Sequence, residues 1–477
     1  MFGAIATTRS PFALSLPCCV TLPWARAGVA GAGSRSSGIG PGREGTADVA
    51  TERLSEAGAA LRRARDRYRA ILAERNVAML LGAGVVSELG DWFNTVALIS
   101  LSFLISDSAL GVGGMFAARM LTRLLAQGPA GTLVDRHAGR GLLFASQMAM
   151  AIVAASFALL VLVPALWILY LLVILLEAVN CIARPAFMAE LRAEAPEDQR
   201  AAANGALFAS ATTAQLVGPP LGALALGWSG PVVVFAINGV TFLTVAFVVA
   251  RLSGGLRGSP RGRPAAGPAG QNALPGGEER LGYRWLLRRQ DLTLYILVCL
   301  SLALLVQATI TLFVVRSYAL GFGDGGVGLF YAAVAAGSVT GSVIAGARAQ
   351  HAAPLYPAAV AMGVCAAALA VFGAAAAAAI AIVALIVAGF ATDFYEVVGL
   401  TYFQGTVPDA VYGRFFSVFL LALSAGALVG AIVGPILESA LGVATSLAVL
   451  AAPAAALALL LLIMSKRWTG LDRGLSG

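Results

Sequence analysis

Twelve apolar stretches follow one another between residues 77 and 465, each long enough to cross a bilayer as a helix. The hydrocarbon layer is about 30 Å thick and a helix rises 1.5 Å per residue, so a span needs about 20 residues. The stretches run over 77–105, 109–134, 141–163, 165–188, 201–227, 230–250, 292–318, 325–347, 354–375, 377–402, 411–437 and 441–465. Inside lipid the backbone must satisfy its own N–H and C=O groups, which leaves helices and closed barrels as spanning structures. Runs of this length select helices. Composition points the same way: 59% of the 477 residues are hydrophobic, only 12% are charged, and mean hydropathy is +0.85. A soluble domain carries roughly 25% charged and 45–50% apolar residues. A secreted disulfide scaffold, a cytosolic enzyme and a disordered regulator are thereby excluded. The expected fold class is an all-α membrane protein of twelve transmembrane helices.

The formal net charge is +8, from 31 arginines and the single Lys466 against 24 acids. The arginines sit mostly in the N-terminal tail and in loops. They follow no groove and are not interleaved with aromatics, so no nucleic-acid partner is expected. A basic excess in loops sets membrane orientation instead. Residues 1–76, 251–290 and 466–477 and the loops at 135–140 and 188–200 hold nearly all of it, and on the opposite side Arg316 is the exception. Both termini and the central segment are therefore expected to be cytoplasmic, in a multi-pass protein of the plasma (cell inner) membrane.

The expected domains are a cytoplasmic tail over 1–76, a six-helix bundle over 77–250, a cytoplasmic linker over 251–290, a second six-helix bundle over 291–465 and a short tail over 466–477. In the first tail a disordered stretch precedes a charged helix-former at 53–75, suited to anionic headgroups. Prolines interrupt the weak signal-peptide look-alike Pro11–Trp24, and no clean cleavage site follows. The linker is Gly/Pro-rich, carries eight arginines and ends in an interfacial LGYRWLLRR. Cys18, Cys19, Cys181, Cys299 and Cys365 lack metal or redox spacing and read as small apolar residues. His137 and His351 fall in loops, and no metal site is expected.

The two halves repeat. Val112-Gly-Gly-Met-Phe-Ala-Ala118 aligns with Val327-Gly-Leu-Phe-Tyr-Ala-Ala333 at an offset of 215 residues, and Gly218-Pro219 with Gly434-Pro435 at 216. Pro196 ahead of Arg200 likewise resembles Pro408 ahead of Arg414. A duplicated unit of six helices gives two copies of the same orientation, related by an axis along the membrane normal.

A charge at mid-membrane costs at least about 2.5–3.5 kcal/mol on insertion scales, so each one needs a reason. The third, sixth, ninth and twelfth spans have no ionisable residue in their cores. The first contains Glu88 and Asp91, the second Arg119 and Arg123, the fourth Glu177 and the tenth Asp393 and Glu396. Every third span thus reads as lipid-facing, while the others line a central cavity.

By rise per residue, Asp91 stands about 21 Å above the cytoplasmic face, Arg123 about 18 Å and Arg119 about 24 Å. Glu88, Asp91 and Thr95 share one helix face, as do Arg119 and Arg123. An Asp91–arginine pair at this level either clamps the first two helices or belongs to a proton relay through Glu88 or Asp91. Glu177 has no local partner in sequence and reads either as a proton site or as a neutral carboxyl bonded to a neighbouring helix. Asp393 and Glu396, with Gln215 and Gln307, are candidates for the cavity lining.

Small residues mark the fifth and eleventh spans, with Gly205, Gly218-Pro219-Pro220 and Gly222 in one and Gly426, Gly430 and Gly434-Pro435 in the other. Glycine permits close helix approach and proline a bend, both suited to rocking gates.

These residues resemble the major facilitator superfamily over about residues 77–465, with its twelve helices, duplicated halves and long central loop. The loop Gly131-Thr-Leu-Val-Asp135-Arg136-His-Ala-Gly139-Arg140 looks like the family's signature loop. The resemblance implies that Asp135 holds a gate contact, together with Gly131, Arg136 and Arg140. Glu88-Leu-Gly-Asp91, Arg184-Pro185-Ala186 and the position of Gly139 resemble the branch of enterobactin exporters and related secretion permeases. The Asn204…Gly218-Pro219 stretch is similar to the family's antiporter motif, although Ala214 and Ala223 stand where that motif usually has glycine. The loop after the eighth span, Ala345-Gly-Ala-Arg348, is a degenerate copy of the signature.

What this implies is a secondary active transporter that exports a small, fairly apolar molecule, drug- or siderophore-like, by alternating access. The coupling is expected to be proton antiport. The rival within the same fold is a proton-coupled uptake symporter, although the seventh, eighth and eleventh spans offer few polar groups beyond Gln307 and Thr309. The expected partners are the substrate and the lipid bilayer, around a monomer. No cofactor beyond the proton gradient is expected, since no GxxxxGK[ST] stretch occurs. The carboxylates are spread over three helices with no Ser or His nucleophile arrangement, so a membrane-embedded enzyme or a transport-inactive sensor is the weaker alternative.

Overall fold

The computed structural model describes residues 69–137, 139–196, 199–252, 289–323, 325–348, 355–407 and 409–474. Most of the charged 53–75 stretch, residues 253–288 of the expected linker, and His351 lie outside them. The helices are α1 (Arg75–Ser106), α2 (Ala109–His137), α3 (Arg140–Ser156), α4 (Leu166–Glu194), α5 (200–229) and α6 (231–251). They continue as α7 (Gln290–Thr311), α8 (Gly325–Arg348), α9 (Tyr356–Ala374), α10 (Ala378–Thr406), α11 (409–441) and α12 (443–474). No strand occurs among the described residues.

The sequence expects separate fifth and sixth spans, and separate eleventh and twelfth. In the structure each pair runs on as one helical stretch broken at a single glycine, Gly230 (φ 73°) and Gly442 (φ 75°). Only a residue without a Cβ adopts that left-handed geometry at no steric cost, so one glycine suffices to turn the chain. Elsewhere the stops are local. Asp107 closes α1 in the left-handed region with its N–H on the Phe103 carbonyl at 2.7 Å, and α3 tightens into a 3₁₀ turn, Phe157–Val161, shortly before Pro164. A short helix, Phe313–Ala319, continues α7.

The packing within the first six helices recurs within the last six. The α5–α6 stretch lies on α1 and the α11–α12 stretch on α7; α2 packs on α4 and α8 on α10; α3 packs on α4 and α9 on α10. The Gly90 backbone lies directly against Asn238 and Thr241 of α6. In the last six helices, rings gather at both ends. Phe313, Phe330, Tyr331 and Phe372 cluster with centroids 5.3–5.6 Å apart at the end where α7 finishes. Tyr295, Phe403, Phe415 and Phe419 do so where α7 begins.

Two of the contacts between the halves use the repeated motifs. A Cβ built on Gly113 of α2 would lie 2.9 Å from Pro435 Cγ of α11 and closer still to the Ala431 carbonyl oxygen. A Cβ built on the repeat-equivalent Gly328 of α8 would lie 2.8 Å from the Pro219 carbonyl oxygen of α5 and closer still to the Ala223 Cβ. Each copy's glycine motif therefore docks on the other copy's Gly-Pro motif. Helix direction places both contacts at the end where α1 finishes, called the far end below; the near end is where α1 begins. Phe103 and Tyr318 stack across the same end at 5.7 Å.

Candidate functional site

Midway along the first half, α1, α2 and α4 bring six charged side chains together. Arg119 and Arg123 lie one turn apart on α2 and both reach Glu177 of α4. Arg119 Nε donates to Glu177 Oε2 at 3.1 Å, and Arg123 Nε donates to Glu177 Oε1. Arg119 Nη1 also donates to Thr95 Oγ1 of α1 at 3.3 Å, and the Thr95 hydroxyl donates to the Asp91 backbone carbonyl at 2.8 Å. Arg184, two turns along α4 from Glu177, stands 3.7 Å from Glu88.

The sequence-based pairing is corrected at this point. The arginines do not pair with Asp91 but with Glu177, the carboxylate expected to lack a local partner. The cause is packing: α2 lies along α4 more closely than along α1. The Asp91 carboxylate makes no hydrogen bond or ion pair among the described residues, and its charged neighbours are Glu88, Arg119, Glu177 and Arg184.

Exposure rises toward the near end. The Glu177 side chain is 5% exposed, Arg119 22%, Arg123 43% and Arg184 62%. Guanidiniums exposed at membrane depth call for a water-filled passage rather than lipid tails around them, open toward the near end, where the exposure rises. At the far end the halves meet at the Gly113 and Gly328 contacts.

The cluster is tied to the seam between the halves. Trp92, next to Asp91, packs edge-on against Tyr331 of α8 at 5.7 Å. Gly218 of α5 lets Trp92 approach, a built Cβ meeting Trp92 Cβ at 2.6 Å, and Gly222 does the same for Phe93 at 2.9 Å from its Cα. Tyr331 in turn lies within electrostatic reach of Arg119.

The other predicted residues lie apart from this cluster. Arg140, at the start of α3, is buried. Its Nε donates to Glu190 Oε1 at 2.6 Å, and it also binds Glu194. Asn76 of α1 donates to Glu194 Oε2 at 2.6 Å, so α1, α3 and α4 are clasped at the near end. The side chains of Asp135 and Arg136 lie outside the described residues. Gly131 is in α2 with open space beside it, and Gly205 is in α5. Gln215 is exposed on α5; Gln307 is buried on α7, and its amide nitrogen has no partner among the described residues.

Asp393, the repeat equivalent of Glu177, faces Ser338 of α8, the repeat equivalent of Arg123, whose hydroxyl donates to the Gly389 carbonyl at 3.4 Å. Glu396 is exposed in the near half of α10 and joins no ion pair among the described residues. At the near end of the last six helices, Tyr402 donates to Asp291 Oδ2 at 2.7 Å, and Arg289 holds the same carboxylate through two bonds at 2.6 and 2.9 Å. Asp291 is the repeat equivalent of Asn76, so both halves tie the start of the first helix of the repeat to the end of the fourth.

Arg184, Trp92 and Tyr331 were not singled out as site residues from sequence. The spacing of Arg184 from Glu177, two full turns on one face, was the available signal. Nothing in the sequence places Tyr331 opposite Trp92.

Comparison with known proteins supplies the family. The family model described as Major Facilitator Superfamily matches residues 80–422. An uncharacterised MFS-type transporter, YfiS of Bacillus subtilis, is 25% identical over 177 residues, which is 37% of this chain and 42% of that protein. The chain thus matches well under two thirds of that relative's length. Among solved structures, the nucleoside transporter NupG superposes with a TM-score of 0.62 at 13% identity, covering 82% of this chain and 99% of that one. A bacterial homologue of the lysosomal transporter Spinster, in an inward-facing and unoccupied conformation, gives 0.59 at 14%, covering 82% and 95%. A peptide transporter POT mutant gives 0.61 at 13%, covering 84% and 98%. With the family model spanning most of the apolar core and the fold matching, the chain belongs to the Major Facilitator Superfamily.

Proposed function

We propose that the protein is a proton-coupled secondary transporter of small molecules that works by alternating access, with Asp91 as the proton carrier. One observation carries this reading: of the carboxylates in the first-half cluster, Asp91 alone makes neither a hydrogen bond nor an ion pair among the described residues, and it adjoins the residue that meets Tyr331 across the seam. A proton there removes an unpaired charge from the membrane interior, and the change is felt where the halves touch. Glu177, held by two arginines, serves as the fixed counter-charge. The near end is the cytoplasmic side, as the loop arginines imply, so this is the inward-open state. Closure at Gly113 and Gly328 seals the outside.

Two senses of coupling fit this machinery. Export in exchange for protons follows from the resemblance to secretion permeases, and the apolar substrate class goes with it. Uptake by cotransport is favoured by one feature of the site, the surplus of guanidinium donors at the mouth of the passage. A proton moving down about 150 mV supplies about 3.5 kcal/mol, enough for a substrate gradient of a few hundredfold.

The test is transport in proteoliposomes under an imposed pH gradient, following internal pH and a panel of lipophilic dyes and labelled organic acids. Wild type should couple solute and proton movement, and Asp91→Asn should retain folding while losing the proton flux. Undiminished proton-coupled transport by Asp91→Asn would remove Asp91 from the mechanism.

A further inference from the structure

The charge balance of the cluster points to a class of ligand. Its members are Arg119, Arg123 and Arg184 against Glu88, Asp91 and Glu177, so the fully ionised site is neutral. The helices packed on α1 do not change this. Residues 205–250 of α5 and α6 contain no titratable group, α4 adds the Cys181 thiol near Glu177 and Arg123, and α8 contributes Tyr331 beside Arg119. Arg316 of the short helix Phe313–Ala319 is held by the Phe372 and Ala375 carbonyls. A proton on Asp91 leaves one net positive charge at membrane depth, a state that is costly unless an anion joins it.

The donors for that anion are in place. Arg123 uses only its Nε, and Arg184 makes no hydrogen bond among the described residues, its contact with Glu88 being 3.7 Å. Both are the most exposed members of the cluster, at the near-end mouth. Planar guanidiniums with free N–H pairs match carboxylate and phosphate oxygens in bidentate fashion.

We propose that Arg123 and Arg184 form a subsite for an organic anion, a carboxylate or phosphate group, which binds together with the proton on Asp91. The two low-cost states are then the empty site with Asp91 ionised and the loaded site with Asp91 protonated and the anion bound. Proton and anion move in the same direction, so for such substrates the transporter is a symporter. This rests on the reading of Asp91 as the proton carrier.

The test measures binding by full-length protein in detergent through the thermal unfolding midpoint against ligand concentration, between about pH 6 and about pH 8. The soluble probes are benzoate, phenyl phosphate and benzenesulfonate, with benzamide, benzyl alcohol and benzylamine as neutral and cationic counterparts. A second arm compares mixed micelles of phosphatidylglycerol with phosphatidylcholine, because a lipid headgroup presents the same anionic chemistry.

At least one anion, soluble or lipid, should bind, with its affinity falling about tenfold per pH unit on the alkaline limb, the slope of one linked proton. Arg184→Gln should weaken binding at least tenfold and keep the unliganded midpoint near wild type; Arg123→Gln should weaken it as far while lowering the midpoint through its lost bond to Glu177. Binding of the soluble anions assigns a free solute, and binding of phosphatidylglycerol alone assigns a lipid headgroup. Stabilisation by no anion in either arm, or equal binding of the neutral counterparts, overturns the subsite. Anion binding that depends on Arg123 and Arg184 but not on pH would keep the subsite and reject Asp91 as its proton partner. Loss of proton flux in Asp91→Asn without any anion binding would do the reverse.

Discussion

The contacts at Gly113 and Gly328 make a quantitative prediction about the conformational equilibrium. A Cβ at Gly113 would stand within 2.9 Å of Pro435 and closer still to a backbone carbonyl oxygen. One at Gly328 would stand 2.8 Å from the Pro219 carbonyl oxygen, with Ala223 nearer. Backbone atoms yield little, and forcing a methyl into a packed seam costs about 1–3 kcal/mol. That cost falls only on the state in which the seam is closed at the far end. The accompanying gain in helix propensity, up to about 1 kcal/mol, is common to both states and cancels. Each Gly→Ala change should therefore shift the equilibrium about 5- to 150-fold toward the opposite opening, at about 1.4 kcal/mol per tenfold. The two sites are on different helix pairs, so the double variant should add their effects.

Spin labels at positions 110 and 441, which are exposed on the far ends of α2 and α11, report the change by dipolar spectroscopy after replacement of the native cysteines. Gly113→Ala and Gly328→Ala should add a longer-distance population, largest in the double variant. Gly363→Ala, whose nearest neighbour is 3.9 Å from the added carbon, serves as the control and should not. Unchanged distances in a folded double variant would refute the assignment of these glycines to the seam.

Further predictions follow from the ion pairs. Glu177→Gln leaves two guanidiniums without their carboxylate and should destabilise the protein by up to about 3 kcal/mol. This is the lower end for breaking a buried pair, because Arg123 is partly solvated; an unchanged unfolding midpoint would contradict it. Arg140→Gln strands Glu190 and leaves Glu194 to Asn76 at the near-end clasp, and should cost about 3–5 kcal/mol, read by the same assay, with Arg140→Lys recovering only part. Arg316 donates to the Phe372 and Ala375 carbonyls at the end of α9, where a cation also meets the helix dipole. Arg316→Met should cost about 1–2 kcal/mol, and a neutral result would show the cap to be idle.

Much of the fold was legible because lipid imposes a length rule on every span, and each of the twelve stretches read from sequence has its helix, although α4 runs six residues past 188 and α12 nine past 465. The turns at Gly230 and Gly442 were less legible, since one glycine does there what a loop does elsewhere. The repeated motifs marked the seam, but sequence alone could not show that each copy docks on the other's partner motif. At the site, the residues were visible as charges in apolar spans, whereas their pairing was not. Depth along a helix put Asp91 level with Arg119 and Arg123, and only the packing of α2 on α4 hands both guanidiniums to Glu177. Arg184 was masked by its neighbourhood, a proline-containing helix end that read as a motif rather than as a side chain facing Glu88.

The central claim is that Asp91 takes up and releases the coupling proton, and infrared difference spectroscopy of the reconstituted protein across a pH titration tests it most directly. A protonated-carboxyl band that disappears as pH rises should be present in wild type and missing in Asp91→Asn. The same band, undiminished in Asp91→Asn, would assign the proton to another carboxylate and contradict the mechanism.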